Sequence, residues 1–414
     1  MSEATINKAR LWQSLEEMAQ VGPGVAGGNC RLALTDEDKA GRDLFVSWAE
    51  EAGCTVTVDE MGNIFARRAG RDDLAPPVMA GSHLDTQPTG GRYDGVFGVL
   101  AALEVVRSLN DQGVETERPF EVVVWTNEEG SRFQPAMMGS GVFAGILERE
   151  AILNGTDEAG LRVEDELKRI GYKGELPAEP RPIHAYVEAH IEQGPVLEAE
   201  GKEIGIVSGI QGIKWFKGKV NGFNAHAGTT PMEVRRDALV AAARMVDAVD
   251  RTTRAFRPDA VSTVGMFSVG PGSINVINEQ ASFSLDLRCP EDEALLELEG
   301  KVRAACGEIA GDMGVQLELE EIWHSPATAF DTMVVEAVAD GAKALGLSAR
   351  RIVSGAGHDA KYMADICPTG MIFVPCLDGI SHNEAERIEP EQSEAGANVM
   401  LHAVMKLAGT GSKA

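Results

Sequence analysis

Histidine and acidic residues follow several apolar runs of this sequence. His83 and Asp85 end the run PPVMAGSHLD, Glu128 and Glu129 end VVVWTNEE, and His190 lies in VEAHIEQGP. A mixed set of imidazole and carboxylate ligands suits zinc, manganese or cobalt better than calcium. If the apolar runs are neighbouring strands, their ends place these side chains at one edge of a sheet, and the sequence predicts a transition-metal site there.

His83 and Asp85 are two positions apart, and alternation along a strand sends such a pair to the same side. There the imidazole can bind a metal while the carboxylate orients its other ring nitrogen. Each candidate also has a simpler explanation: the pair as a capped turn, Asp94 as a helix cap, the two glutamates as solvated carboxylates and His382 as a loop residue. Their shared place at the ends of predicted strands favours the metal site, and two adjacent glutamates allow one to ligate while the other acts as a base.

Helix and strand patterns supply the elements that position these residues. TDEDKAGRDLFVSWAEEAG predicts a helix with Thr35 as its N-cap, and TVTVDEMGNIFARR predicts a hairpin. Three further strands are predicted from PPVMAGSH, PFEVVVWTNEEG and PIHAYVEAHIEQG, and GVFGVLAALEVVRSL between the first two has the apolar spacing of a helix. A strand, helix, strand order implies a parallel unit that binds ligands at the carboxyl ends of its strands.

The pattern changes between residues 209 and 324. Strands and amphipathic helices there alternate in a βαββα-type order, which favours a small two-layer α+β domain. From residue 325 onward, the helix DTMVVEAVADGAKALG and the strand GMIFVPC resume the alternation of helices and strands seen before residue 209. We therefore predict an α/β domain with a mixed, largely parallel sheet, formed by residues 1–208 and 325–414, and an inserted α+β domain formed by residues 209–324.

Length and composition limit the classes of function. A chain of 414 residues is expected to form two domains. Its 64 acidic and 38 basic residues give a net charge of −26, which would repel nucleic acids and anionic membranes. The six cysteines are scattered, the first residues show no secretory signal, and no apolar run reaches the length of about 18 residues that a membrane span needs. These features predict a cytoplasmic protein that binds neither nucleic acid nor membrane.

The order of the motifs resembles the M20 family of dinuclear metallohydrolases. The motifs are HLD, the loop GGRYDG, NEEG, HIEQGP and SHNE, and they follow one another along almost the whole chain. EAHIEQGP and NAHAGTTPM are similar to sequences of its amidase branch, the N-carbamoyl-L-amino acid hydrolases, with β-ureidopropionases and allantoate amidohydrolases as close relatives. The histidine at position 190, where the peptidase branch usually has a carboxylate, also indicates the amidase branch.

The resemblance implies a role for each motif residue. Glu128 becomes the general base, Asp85 orients His83, and Asp94 bridges two divalent ions, for which zinc, manganese, cobalt and nickel are all suitable. Two such ions can activate water and polarise a ureido carbonyl. His358, in the glycine-rich loop SGAGHDAKYM, is implied to lie near the substrate. By the same resemblance, the metal ligands are His83, Asp94, Glu129, His190 and His382.

The inserted domain is then expected to act as a lid and dimerisation domain. In the resembling enzymes the histidine of NAHAGTTPM, here His226, reaches the neighbouring subunit's site, where it is expected to donate to the oxyanion of the tetrahedral intermediate. A histidine that only caps a helix entry is the alternative. Arg288, in ASFSLDLRCP, is suited to clamp a substrate carboxylate with two hydrogen bonds, and the alternative is an ion pair with Asp286. Gln211 and Asn275 are implied as further substrate-binding residues.

The expected activity is hydrolysis of the ureido group of an N-carbamoyl-L-amino acid to the amino acid, ammonia and carbon dioxide by a homodimeric, metal-dependent amidohydrolase. Allantoate or another ureido acid is the first alternative substrate, and the substrate of an M20-type dipeptidase or aminoacylase is the second. A metal- or ligand-binding protein without turnover on the same scaffold is a further alternative. The retention of both Glu128 and Glu129 argues against it, because an idle site has no need for a spare base.

Overall fold

The computed structural model describes residues 4–410, which divide into two compact units. One unit comprises the described residues up to 208 together with those from 329 onward, and the other comprises residues 209–328. The second unit is thus an insertion into the first. The assignment of the two units as a catalytic domain and a lid and dimerisation domain remains a prediction.

Helices and strands alternate in the part of the larger unit that precedes the insertion. Its helices are α1 (Lys8–Met18), α2 (Asp36–Glu51), α3 (Val96–Asp111), α4 (Met138–Phe143), α5 (Arg149–Asn154), α6 (Val163–Ile170) and α7 (Val196–Ala199). Its strands are β1 (Thr55–Val58), β2 (Ile64–Arg68), β3 (Val78–His83), β4 (Phe120–Trp125), β5 (Ala185–Ile191) and β6 (Ile204–Ile210).

The insertion and the return to the larger unit complete the chain. The insertion contains β7 (Gly212–Asn221), β8 (Ala225–His226), α8 (Ala238–Phe256), β9 (Val261–Thr263), β10 (Phe267–Gly270), β11 (Val276–Ile277), β12 (Gln280–Cys289), α9 (Asp292–Asp312) and β13 (Gln316–Ser325). The elements that follow are β14 (Thr328–Ala329), α10 (Thr332–Ala344), β15 (Ala349–Ser354), α11 (Ala360–Met363), β16 (Thr369–Val374) and α12 (Pro390–Ala408). None of the helices within residues 4–410 combines the length and the apolar character that a bilayer crossing requires.

The larger unit is built on one mixed sheet, as predicted. The strand order is β1-β2-β4-β3-β5-β16-β6-β14, with β15 also beside β6. The central strands β4, β3, β5 and β16 pair in parallel, whereas β1 with β2, β2 with β4 and β16 with β6 pair antiparallel. Every residue of these four central strands is buried, and α3 and α12 pack against them. Parallel strands covered by helices are the expected form of an α/β core.

Local sequence signals explain the first elements. Thr35 caps α2, because its side chain accepts a hydrogen bond from the backbone N–H of Asp38, and acidic residues occupy the first turn of that helix. β1 and β2 form the predicted hairpin, in which Val58 lies opposite Ile64. Both predictions from the sequence are confirmed.

The inserted unit has two layers. Its main sheet has the order β10-β12-β7-β13, with β9 also beside β12, and α8 and α9 pack on one face of it. Phe216, Phe283 and Leu285 lie in the core between the helices and the sheet. β13 was not predicted from the sequence, although Leu317 and Leu319 alternate with polar residues. A β-bulge between Glu321 and Trp323 interrupts the alternation in its second half.

Candidate metal centre

Parallel pairing brings the strand ends together. His83 lies opposite Trp125 in the pairing of β3 with β4, and Phe373 lies opposite His190 in the pairing of β16 with β5. The segments that follow these strands therefore leave the sheet at the same edge. The predicted site residues at or beyond this edge are His83, Asp85, Glu128, Glu129, His190 and His382.

Three buried side chains, His83, Asp94 and His190, form an inner group at this edge. The Oδ1 of Asp94 lies 3.4 Å from the Nε2 of His83 and 3.2 Å from the Nε2 of His190. Gly95, with a φ of 67°, begins α3 at a point where a Cβ atom would lie 2.4 Å from the His83 ring, so glycine is required there. One ligand atom from each residue lies within 4.8 Å of the others, so a single cation can contact all three.

An outer group shares Asp94 with the inner group. The Nε2 of His382 lies 3.6 Å from the Oδ2 of Asp94 and 3.3 Å from the Oε2 of Glu129. His382 comes from a loop in which its φ is 54°, and its side chain is half exposed. The two groups approach different oxygens of Asp94, as they would around a carboxylate that bridges two cations.

One nitrogen of the inner group lacks the hydrogen bond that a buried polar atom requires. The Nε2 of His83 is buried and has no hydrogen-bond partner among residues 4–410. A buried polar atom without a partner is costly unless a ligand satisfies it. Imidazole nitrogen and carboxylate oxygen together form a donor set for zinc, manganese or cobalt. The chain therefore has histidine and carboxylate groups that could bind metal.

Burial and mutual charge perturb the groups in this cluster. Burial opposes ionisation of Asp94, but the charges of His190 and His83 outweigh it and hold the pKa of Asp94 well below its usual range. Burial also acts to lower the pKa of His83, yet Glu128 and Asp94 raise that pKa well above its ordinary value. Burial, followed by the charge of Asp94, raises the pKa of Glu129 to about 8. Cation binding here should therefore displace protons and depend on pH.

The turn after β4 directs two adjacent glutamates to the two groups. The Oε2 of Glu128 lies 3.5 Å from the Nε2 of His83 in the inner group, whereas Glu129 contacts His382 in the outer group. Asn127, with a φ of 55°, produces this turn. Burial raises the pKa of Glu128 well above its usual value. A buried carboxyl group with a raised pKa is suited to accept a proton and return it.

The contacts of Asp85 differ from the contact predicted from the sequence. The Nδ1 of His83 lies 2.9 Å from the backbone carbonyl oxygen of Asp85, and the carboxylate is 3.9 Å away. The carboxylate instead accepts hydrogen bonds from the backbone N–H groups of Glu128 and Glu129, each at 3.2 Å. The reason is that β3 ends at His83, so the alternation on which the prediction depended does not extend to residue 85.

Three side chains that the sequence analysis did not single out contact Asp94 or its backbone. Gln193 Nε2 donates to the Oδ2 of Asp94 at 2.8 Å, and Ser381 Oγ donates to the same oxygen at 2.6 Å. Glu386 accepts from the backbone N–H of Asp94 at 3.1 Å. Gln193 belongs to the motif HIEQGP and the other two to SHNEAE, so their presence beside the motif histidines was the available signal.

A third group of possible ligands, Glu188, His190 and His358, is already hydrogen-bonded. Glu188 accepts hydrogen bonds from Ser82 Oγ at 2.7 Å and from two other donors, and the Nε2 of His358 lies 2.9 Å from Ser354 Oγ. Burial, followed by the charge of His190, holds the pKa of His358 well below its usual value. His358 is thus a buried neutral neighbour of His190, and its contact with substrate stays a prediction.

The inserted unit brings His226 and Asn275 together. β8 pairs with β11, and the backbone N–H of Ala227 donates to the carbonyl oxygen of Asn275 at 2.9 Å. The Nδ1 of His226 accepts hydrogen bonds from the backbone N–H groups of Gly228 at 3.0 Å and Thr229 at 3.2 Å. In the neutral ring, Nδ1 must then be the bare nitrogen, and the exposed His226 presents its Nε2–H as a donor.

Arg288 and Gln211 lie at the opposite end of the inserted sheet. Arg288 is opposite Ile213 in the pairing of β12 with β7, and Gln211 directly precedes β7. At the other end of the pairing, Gln280 lies opposite Asn221. His226 follows Asn221 in the chain, and Asn275 precedes Gln280. Eight residues of strand separate the two ends, which is roughly 26 Å.

The alternative for Arg288 that the sequence left open is present. Its Nη2 lies 2.8 Å from the Oδ2 of Asp286, and its Nε lies 3.0 Å from the Oδ1 of the same residue. The side chain of Arg288 is 29% exposed. The role of Arg288 in binding substrate stays a prediction.

Comparisons with known proteins cover almost the whole chain. Residues 79–406 match the family described as peptidase family M20/M25/M40. An N-carbamoyl-L-amino-acid amidohydrolase of Rhizobium meliloti is 48% identical, over 97% of each chain, and the N-carbamoyl-L-amino acid amidohydrolase of Geobacillus stearothermophilus is 41% identical, over 97% of this chain and 99% of that protein. The crystal structure of an amidase of the hydantoinase/carbamoylase family from Burkholderia multivorans has 55% identity and a TM-score of 0.95, and covers 98% of this chain and 99% of that chain.

Proposed function

We propose that this chain, which belongs to peptidase family M20/M25/M40, hydrolyses N-carbamoyl-L-amino acids to the free amino acid, ammonia and carbon dioxide. The curated relatives described above are named for this reaction. The observation that carries the proposal is the cluster in which the possible metal ligands His83, Asp94 and His190 lie beside the carboxyl group of Glu128. A ureido carbonyl is unreactive because both nitrogens donate into it, so its hydrolysis needs both a cation and a base.

We propose two divalent cations per subunit as cofactors, with zinc, manganese, cobalt and nickel as candidates. His83, Asp94 and His190 would hold one cation, and Asp94, Glu129 and His382 would hold the other, because each set brings its ligand atoms within 4.8 Å of one another. When bound, such cations lower the pKa of water and polarise a carbonyl group.

Glu128 is the proposed general base. It takes a proton from the attacking water and returns it to the leaving nitrogen. Asp85 supports this role, because its carboxylate binds the backbone N–H of Glu128 and so fixes the point from which the side chain extends. The raised pKa of Glu128 also suits a group that must hold a proton between two steps.

Arg288 is the proposed binding group for the substrate carboxylate, through two parallel hydrogen bonds. Its pairing with Asp286 orients the guanidinium before substrate arrives, and the side chain is partly exposed. Gln211, at the same end of the inserted sheet, is proposed as a further contact with substrate.

A homodimer is proposed because one inserted unit cannot present all of its substrate-binding residues to one small molecule. Arg288 lies at one end of the β7–β12 pair, and His226 and Asn275 lie beyond the other, roughly 26 Å along the strands. An N-carbamoyl amino acid is much shorter than that. We therefore propose that each site combines Arg288 of one subunit with His226 and Asn275 of the partner subunit.

Subunit mixing tests this arrangement. Glu128→Gln and His226→Asn homodimers should each be almost inactive, but a heterodimer formed from them would have one site with both native residues. Statistical exchange would then restore about a quarter of the native activity, because half of the dimers would be mixed and each would have one intact site. Mixing that restores no activity, although mass analysis shows heterodimers, would place Glu128 and His226 of the same chain in one site.

We infer a cytoplasmic location from the cysteines. Cys30, Cys54, Cys289, Cys306, Cys367 and Cys376 are all free thiols. Scattered free thiols are typical of proteins in a reducing compartment. Fractionation of the native organism with an antibody against this protein would test the inference.

A substrate panel tests the reaction itself. The metal-loaded protein should release ammonia and free amino acid from N-carbamoyl-L-amino acids faster than it cleaves allantoate, other ureido acids, dipeptides or acylated amino acids. A higher kcat/KM for allantoate or another ureido acid would support the proposed hydrolysis of a ureido group but would assign a different substrate. Metal binding without turnover on any member of the panel would support a binding protein instead.

A further inference from the structure

A second buried carboxylate lies beside the candidate metal centre and has no role in the reaction proposed above. Glu386 is 4% exposed. Its Oε1 accepts hydrogen bonds from the backbone N–H of Tyr93 at 2.9 Å and of Asp94 at 3.1 Å. A side chain from the segment that carries His382 thus holds the backbone of the loop that carries Asp94.

Ser381 links the same two carboxylates. Its Oγ lies 2.6 Å from the Oδ2 of Asp94 and 3.2 Å from the Oε2 of Glu386. A hydroxyl group has one hydrogen to donate, and the shorter distance assigns it mainly to Asp94. This bond, together with the one that Gln193 Nε2 donates to the same oxygen at 2.8 Å, fixes the plane of the Asp94 carboxylate, so that the Oδ1 faces the inner group and the Oδ2 faces the outer group.

The packing around Glu386 leaves the Asp94 loop little freedom. A Cβ atom on Gly91 would lie 2.1 Å from the side-chain carboxyl carbon of Glu386, so the backbone of this loop runs directly against the glutamate. Glu386 therefore restrains the loop by hydrogen bonds and by contact. The restraint acts on the one residue that both proposed cations would share.

We infer that Glu386 and Ser381 are positioning residues for Asp94, and that they raise the affinity of the site for divalent cations. The inference rests on the proposed function, because it assigns Asp94 the role of a bridging ligand. Glu386 restrains the backbone of Asp94, and Ser381 orients its carboxylate. Hydrogen-bond partners of metal ligands commonly have this effect.

The experiment compares three variants with the native enzyme. Ser381→Ala removes only the hydroxyl group. Glu386→Gln retains an oxygen for the backbone N–H groups of Tyr93 and Asp94, but replaces the oxygen that lies 3.2 Å from Ser381 Oγ with an amide NH2 group. Glu384→Gln is the matched control, because it removes one negative charge two residues away in the same segment. The readouts are the dissociation constants for zinc and manganese, by chelator competition, and the metal content per subunit, together with the Tm of the metal-free protein.

Ser381→Ala should weaken the binding of at least one cation by about 10–100-fold. Glu386→Gln should weaken it in the same direction, and Glu384→Gln should leave it unchanged. At saturating metal, Ser381→Ala should recover most of the native kcat, and its KM should stay close to the native value, because neither positioning residue is proposed to bind substrate. This rescue by metal is a response that a merely structural role would not produce.

Native dissociation constants in both Ser381→Ala and Glu386→Gln would overturn the inference, and so would a loss of Tm in the metal-free variants without any change in affinity. Equal weakening in Glu384→Gln would also overturn it, because the effect would then be one of general charge. A native protein that binds metal tightly but cleaves no ureido acid would refute the proposed function alone, since the affinities would still be measurable. A native protein that takes up no metal would refute both.

Discussion

His226 offers the sharpest test of how the inserted unit takes part in the reaction. Its Nδ1 accepts hydrogen bonds from Gly228 and Thr229, so its Nε2–H is the group available to a substrate. Asparagine places an amide oxygen near the position of Nδ1, and glutamine places an amide nitrogen near the position of Nε2. His226→Asn therefore retains the loop contact and loses the donor, whereas His226→Gln retains a donor and loses the loop contact.

The expected sizes of the two effects differ. Loss of one donor to a developing oxyanion costs about 2.7–4 kcal/mol, or about 100–1,000-fold in kcat. Loss of the two backbone hydrogen bonds to Nδ1 costs about 1 kcal/mol each at most, and less here because His226 and Gly228 are exposed to water. We expect His226→Asn to lower kcat by about 100–1,000-fold with an unchanged Tm, and His226→Gln to stay within about tenfold of the native kcat with a slightly lower Tm.

The assay is steady-state release of ammonia from an N-carbamoyl-L-amino acid, with Tm and metal content measured on the same samples. The opposite order, in which His226→Asn retains the native rate and His226→Gln does not, would show that His226 only caps the loop. That result would refute the reasoning for a donor role and restore the simpler explanation considered from the sequence.

Four further predictions follow from the larger unit and from Arg288. Glu128→Gln should lower kcat by about 100–10,000-fold with unchanged metal content. Native turnover in this variant would show that Glu128 is not the general base. Arg288→Ala should raise KM for N-carbamoyl amino acids but not for their carboxamide analogues, and an unchanged KM would exclude the clamp. Asp85→Asn should leave the backbone N–H group of Glu128 or Glu129 without its acceptor, at a cost of about 1–3 kcal/mol in stability. This variant should lower kcat more than it lowers metal affinity. Because burial raises the pKa of Glu129 to about 8, the folded metal-free protein holds a proton that the unfolded chain has released. Its Tm should therefore fall as the pH rises from about 5 to about 8, and Glu129→Gln should reduce that fall.

Much of the fold and of the proposed ligand set was predictable because both depend on local patterns. Short apolar runs identified β3, β4 and β5, and parallel pairing alone then brought His83, Glu128 and His190 to one edge. The inserted segment was visible as a change of pattern. β13 was missed although Leu317 and Leu319 alternate with polar residues, and a β-bulge between Glu321 and Trp323 interrupts the pattern after that.

Contacts between distant loops were not predictable from such patterns. Glu386 holds the backbone of Tyr93, which is 293 positions away, and no periodicity reports which loops meet above a sheet. Ser381 and Gln193 stand within recognised motifs, but their contact with Asp94 depends on loop conformations with positive φ at Gln193 and His382. Side-chain direction in such loops follows from tertiary packing, which alternation does not encode.

Asp85 shows how one residue can couple the cation site to the base. Its backbone carbonyl oxygen binds the Nδ1 of His83, and its carboxylate binds the backbone N–H groups of Glu128 and Glu129. Any shift of Asp85 would therefore move a proposed metal ligand and the proposed base together. A hydrolase of this kind needs that coupling, because the base must reach the water that the cations activate, and an error of about 1 Å between them can cost about 100-fold in rate.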